Sequence, residues 1–218
     1  LTQHGLIDLE ELEVMINALQ KLQKPKVMDL GCGNGNITQH LHKKLPGSDF
    51  TGIDISSTGI SYANQNFAKP GLAFYQGNMK SPGPGESFDA FIALDTFYYV
   101  SDLKTVLSAC KKISAPGARL LTYFSQWIMD ESYQDYLNPE MTRLARECKE
   151  LNLSYKTTDL TASGIQHWKL KEKVLKDMKD EFFKEGFMHL WDYRFREATR
   201  YANWGDDKYA RFFYEIAL

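Results

Sequence analysis

The sequence predicts an α/β fold built around a mostly parallel sheet, and three observations predict it. Between Lys26 and Phe124 short apolar runs alternate with stretches of helical period. The first run ends in Gly31-Cys32-Gly33-Asn34-Gly35, a turn too rich in glycine to be anything but a tight passage from strand to helix. The second run closes on an acidic residue, Asp54, at the same end of the sheet.

Taken in order, Leu9, Leu12, Ile16 and Leu19 recur at helical spacing, and Asp8 with Glu11 forms a capping-box pattern, so residues 8–22 are expected to be a helix. Pro25 breaks the chain before a first strand over 26–30. Ile37, Leu41 and Leu45 mark the next helix, which Pro46-Gly47 stops. A strand over 49–55, a helix over 57–67, and strands over 72–76 and 88–94 follow. Asp102 caps a helix with Leu103, Val106, Leu107, Cys110 and Ile113 on its apolar face, and Pro116-Gly117 ends it before a fifth strand over 119–124. The rhythm then changes. Residues 126–168 are rich in Trp, Tyr, Asn, Ser and Thr, with helical period only near Leu144, Cys148 and Leu151, which predicts an insertion. Period returns over 168–185, with Leu170, Val174, Leu175, Met178 and Phe182 inward and lysines and acids outward. Residues 189–195 and 209–216 are expected to be two further strands.

With 218 residues, 43% hydrophobic and 25% charged, the chain has the make-up of an ordinary folded protein, which excludes intrinsic disorder and a bare coiled coil. Its longest apolar run, 90–94, is broken by Asp95, far short of the roughly 18 residues a membrane helix needs. A formal charge of −2 with dispersed basic residues gives no footprint for nucleic acid or anionic membrane. Cys32, Cys110 and Cys148 lack metal or disulfide spacing, so no metal is expected and a reducing, cytoplasmic setting fits. The expected partner is a small molecule, the expected assembly a monomer or homodimer. The organisation expected is one domain over 1–218: an N-terminal helix or lid (1–25), a binding core (26–125), a helical cap insertion (126–186) and C-terminal strands (187–218).

Glycines at the carboxyl end of the first strand let a nucleotide-type ligand approach the backbone, and a carboxylate ending the next strand can accept hydrogen bonds from both ribose hydroxyls. Asn36 stands where dinucleotide enzymes carry their third glycine, which disfavours a nicotinamide dehydrogenase.

Five segments, residues 27–35, Asp54, 77–79, 88–94 and 115–120, together resemble the class I Rossmann-like S-adenosylmethionine-dependent methyltransferases. The resemblance covers roughly 26–124. It implies a three-layer, Rossmann-like, seven-stranded mostly parallel sheet with an antiparallel last strand, and S-adenosyl-L-methionine as cofactor with S-adenosyl-L-homocysteine as product. It also implies roles: Gly31, Gly33 and the backbone at Cys32 for the methionine moiety, Asp54 for the ribose, Ile55 and Met79 for the adenine faces, and Leu94 with Asp95 for the amino-acid end. Asp29, Asn34 and Tyr99 complete the implied cofactor set. Asn78 stands where the family usually has Asp, and its amide would meet the adenine edge.

Methyl transfer from a sulfonium is an in-line displacement, so alignment and exclusion of water are the protein's tasks. Phe97-Tyr98-Tyr99 follows the fourth strand and offers aromatic faces to a cationic centre. Asp95 is the expected orienting carboxylate and His167 the expected general base. Acceptor selection is expected from the insertion, with Tyr98, Gln126, Trp127 and Trp168 as substrate residues, Arg200, Tyr201 and Trp204 as further candidates, and His4 in a lid. These expectations add up to methyl transfer to nitrogen or oxygen of a small molecule. The rivals are methylation of protein or RNA, and a non-catalytic S-adenosylmethionine-binding protein.

Overall fold

Apolar runs that are inaccessible on both sides can only sit in the middle of a layered structure, and the first and fourth runs do so. In the computed structural model, which describes residues 7–83 and 87–218, β1 (Lys26–Leu30) and β4 (Phe88–Leu94) are buried along nearly their whole length. Parallel partners flank them. β1 pairs with β2 (Asp49–Asp54) in the register Val27 to Phe50 and with β4 in the register Val27 to Ala90. β2 pairs with β3 (Leu72–Gln76), and β4 with β5 (Ser114–Trp127). The helices between them are α1 (Leu9–Gln20), α2 (Asn36–Lys44), α3 (Ser57–Phe67) and α4 (Leu103–Lys112). As expected, Asp8 accepts a hydrogen bond from Glu11 N (2.8 Å) at the start of α1, and Asp102 one from Thr105 N (3.0 Å) at the start of α4.

The remaining elements are α5 (Arg143–Glu150), β6 (Tyr155–Asp159), α6 (Thr161–Asp177), α7 (Lys179–Lys184), α8 (Met188–Ala202) and β7 (Tyr209–Ala217). The sheet has seven strands in the order β3-β2-β1-β4-β5-β7-β6. β7 runs antiparallel: Leu218 N donates to Ala118 O and Ile128 N to Lys208 O, so partner numbers rise along β5 as they fall along β7. The expected antiparallel last strand is present.

Chain contacts group the residues into two compact units, which are described separately. Among the described residues, the first comprises those up to Phe124 with Leu144–Thr158 and Phe213–Leu218; the second comprises Ser125–Arg143 and Asp159–Phe212.

Three expectations are corrected. Residues 189–195 form no strand; they lie in α8, where Arg194, Ala198 and Ala202 are buried at four-residue spacing and Trp191 stacks on Phe195 (4.7 Å between centroids, 10° between planes). Their alternating residue types imitate a strand, while the burial follows the helical period. The C-terminal segment 187–218 therefore holds one strand, and the other is β6, inside the stretch expected to be a helical insertion. β6 is an edge strand of sequence Tyr-Lys-Thr-Thr-Asp and mostly exposed, so it lacks an apolar signature. Finally, α6 begins at Thr161, and its buried residues are Gly164, Trp168 and Leu175; Leu170 and Val174 are exposed. Lys171 is not outward either, because it pairs with Glu197 at 3.0 Å.

Candidate functional site

Within the first unit, the carboxyl ends of β1, β2, β3 and β4 bring most of the expected cofactor residues together. Gly31, Gly33 and Gly35 hold φ of +83°, +57° and +78°, a left-handed conformation that favours glycine. Gly31 N and Cys32 N both donate to Ile53 O (2.8 and 3.0 Å), which ties the loop after β1 to the end of β2. Asp54 completes the tie: Oδ2 accepts from Gly33 N (2.9 Å) and Oδ1 from Ser56 N (2.8 Å). A carboxylate has about four acceptor positions, so two remain for a ligand.

Gly31 and Gly33 differ in what surrounds them. A Cβ at Gly31 would lie 2.6 Å from Thr96 Cγ2 and 3.5 Å from Met79 Cε, whereas one at Gly33 would meet nothing within 4 Å among the described residues. Met79 is therefore beside the loop. Ile55 is 75% exposed, an apolar side chain left uncovered next to Asp54. Asn78 is exposed and turns its Oδ1 back on Lys80 N (2.9 Å), and Asn34 Oδ1 accepts from Asn36 Nδ2 (3.0 Å). Leu94 is half-buried; Asp95 follows it buried, with φ +54°, a left-handed conformation uncommon outside glycine and tolerated best by asparagine and aspartate. In the turn Phe97–Tyr99, Phe97 is fully buried and packs in the core, while Tyr98 and the exposed Tyr99 lie ring to ring at 4.6 Å.

Beneath the loop, Asp29 is buried and accepts a hydrogen bond from Thr38 Oγ1 (2.6 Å). Burial raises its pKa from the ordinary 3.8 to about 7, opposed by the Thr38 bond and assisted by the charge of Asp54. Burial, with Asp29 and Asp54 nearby, also pushes the Cys32 thiol up, so that side chain is a packed loop residue and not a nucleophile. A proton held more tightly in the folded state makes stability fall as pH rises between 3.8 and about 7. Asp29→Asn keeps an acceptor for Thr38 and removes this titration. Its melting temperature should match wild type near pH 4 and exceed it by about 3 °C or more near pH 8. Equal melting temperatures at both pH values in calorimetric scans would reject the assignment.

Two residues that matter here were not singled out from the sequence. Thr96 packs against Gly31 and donates to Leu30 O (3.1 Å), and Thr38 holds Asp29. Only their positions just past β4 and inside α2 hinted at it.

Gln126, Trp127, His167, Trp168, Arg200, Tyr201 and Trp204 fall in the second unit, where the structure groups only the aromatic ones. Gln126 accepts from Arg143 N (3.2 Å). Tyr201 is central to an aromatic group, with Trp168 at 4.5 Å, Trp204 at 4.8 Å and Trp127 at 5.8 Å between centroids. Trp168 is buried, and Lys171 Nζ sits 4.6 Å from its ring centroid. His167 is half-buried on α6, with Nε2 3.5 Å from Ser163 Oγ. Arg200 is exposed on α8. His4 lies outside the described residues.

The strand order, the glycine loop after β1 and the carboxylate after β2 define the class I Rossmann-like S-adenosylmethionine-dependent methyltransferase fold. The chain belongs to the methyltransferase domain family, whose model matches residues 22–193. It is 32% identical over 115 residues to a sterol 24-C-methyltransferase of Gibberella zeae, a match covering 50% of this chain and 30% of that one. It thus spans less than a third of that relative. Among solved structures, a candidate sarcosine dimethylglycine methyltransferase from Galdieria sulphuraria superposes with TM-score 0.79 at 18% identity, covering 95% of this chain and 83% of the other. An S-adenosylmethionine-dependent methyltransferase from Geobacter sulfurreducens, bound to S-adenosyl-L-homocysteine, gives 0.72 at 15% identity, covering 98% and 92%.

The residues present fit S-adenosylmethionine. Among the described residues nothing crowds Gly33, Asp54 keeps acceptor capacity, and Ile55 presents apolar surface beside it. Among the described residues no His, Cys, Asp and Glu group could hold a metal ion, and no helix is long and apolar enough to cross a membrane.

Proposed function

We propose that this chain transfers a methyl group from S-adenosyl-L-methionine to nitrogen or oxygen of a small molecule, releasing S-adenosyl-L-homocysteine. The observation that carries this reading is the pairing of Gly33, whose α-carbon is uncrowded among the described residues, with the Asp54 carboxylate that holds its N–H at 2.9 Å. When bound, the donor supplies an electrophilic methyl group on a positively charged sulfur. The chain's residues bind and align: the Asp54 carboxylate takes the ribose hydroxyls, Ile55 and Met79 cover the adenine, and Asp95 orients the polar groups past β4. Tyr98 and Tyr99 supply aromatic surface for a cationic centre.

A small acceptor is favoured by the net charge of −2, which offers no basic surface for RNA, and by the small molecules named for the sterol and sarcosine enzymes. A screen of small amines and hydroxyl compounds, read by S-adenosylhomocysteine formation, tests it. Turnover on one of them, with none on bulk RNA or protein, is the expected result; donor binding with no turnover on any acceptor would leave a binding protein instead. An amine can attack first and lose its proton afterwards, whereas a hydroxyl gains roughly 100- to 10,000-fold from a general base. His167 is the base proposed for the hydroxyl case. With a hydroxyl acceptor, His167→Asn should lose rate, and with an amine acceptor it should lose little.

A further inference from the structure

The second unit contains a cavity of about 980 Å³, made entirely from its own residues. This is the upper end of the size range of small-molecule sites, roughly 300–1,000 Å³. Its lining has three chemical characters. Phe212 is buried and, with Ile165, forms an apolar wall. Trp204 presents an aromatic surface, and its ring is held edge-to-face by Tyr201 at 4.8 Å and 88°. Charges of both signs complete it: Asp159 and Asp206 as carboxylates and Lys169 as an ammonium. Asp159 is partly engaged, since Oδ1 accepts from Thr161 N at 2.8 Å, whereas Asp206 adjoins Trp204 across only Gly205.

A ligand with a single charge would face an opposing group in such a lining, at a cost that dispersal of the two signs over one molecule avoids. A cationic head between an indole face and a carboxylate gains from both. An anionic head suits Lys169 on α6, whose N-terminal turn also borders the cavity; the C-terminal turn of α8 borders it too and adds partial negative charge beside Trp204, which follows it in the chain. We propose that this cavity binds a zwitterion carrying an apolar body, with its ammonium group at Trp204 and Asp206, its acidic group at Lys169, and its apolar part against Ile165 and Phe212. The site is independent of the methyl-donor reading, because every residue in it belongs to the second unit.

Calorimetric titration of the full chain without S-adenosylmethionine tests this, using N-octyl-N,N-dimethylglycine below its micellar range as the probe. Octyltrimethylammonium, octanoate and glycine betaine are the comparisons, each lacking one of the three features. The zwitterionic probe should saturate a single site, and each comparison should bind at least about tenfold more weakly. Trp204→Leu and Asp206→Asn should each weaken the probe by about fivefold or more, with Lys169→Met acting in the same direction; Asp206 and Lys169 are exposed, so those two variants should keep the wild-type circular dichroism. Equal affinity for any comparison, no binding of the probe, or unchanged affinity in the Trp204 and Asp206 variants would overturn the proposal. S-adenosylhomocysteine titrated into the same samples reports the donor site separately, so failure of one reading is visible apart from the other.

Discussion

Replacing Asp54 by alanine is expected to weaken S-adenosylhomocysteine binding by roughly ten- to hundredfold, with the fold retained. Two losses add. Ribose hydroxyls lose a charged acceptor, and a hydrogen bond to a charged group contributes about 1.5–3 kcal/mol, where each 1.4 kcal/mol is about tenfold in affinity. The loop also loses an anchor, since Asp54 accepts from Gly33 N at 2.9 Å and Ser56 N at 2.8 Å. Asp54→Asn separates the two. Its amide oxygen can still hold one backbone N–H while the charge is gone, so its affinity should fall between wild type and Asp54→Ala. The loop stays fastened at Gly31 and Cys32 through Ile53 O, which is why circular dichroism should stay that of wild type. Isothermal titration calorimetry decides: wild-type affinity in Asp54→Ala would remove this carboxylate from the binding site.

How much of this was legible beforehand depended on whether a signal was local. The glycine turn, Asp54 and the cap at Asp102 are written in consecutive residues whose backbone needs are fixed by their own chemistry, and the helix Ser57–Phe67 is bounded where its sequence suggests. Burial on both faces gave β1 and β4 runs with no alternation to misread. Past Phe124 the determinants are tertiary. β6 is a strand because a sheet edge accepts it, not because its five residues are apolar, and residues 189–195 alternate like a strand while Arg194, Ala198 and Ala202 pack with helical spacing. The partners Thr38 and Thr96 were invisible for a related reason. A threonine announces nothing by itself, and Thr96 reaches Leu30 O only because β1 and β4 are neighbours in the sheet. For Gln126, Trp127, His167 and Trp168 the sequence supplied residue types without surroundings, and the structure supplies those surroundings within the second unit alone.

Valine at Gly33 and valine at Gly35 should fail in opposite ways, although the two glycines are two residues apart and both have positive φ. At Gly35 a Cβ would lie 2.6 Å from Phe74 Cε1 and 2.9 Å from Ala63 Cβ, and φ is +78°. The left-handed backbone costs a side chain roughly 1–2 kcal/mol and the overpacked contact about 1–3 kcal/mol more. A sum of about 2–5 kcal/mol is a large share of a typical stability of 5–15 kcal/mol, so Gly35→Val should melt on the order of 5–15 °C lower or fail to fold. At Gly33 the backbone cost is similar, with φ +57°, but a Cβ would meet nothing within 4 Å among the described residues. Gly33→Val should therefore fold, melting about 2–8 °C below wild type, and lose S-adenosylhomocysteine affinity by tenfold or more, because its branched side chain fills the space beside Asp54. Thermal melts by circular dichroism and calorimetric titration on the same samples separate the two. A Gly33→Val protein that binds normally would mean that this space is not where the ligand lies. A Gly35→Val protein as stable as wild type would mean that Phe74 and the loop can part, leaving Gly35 no packing role.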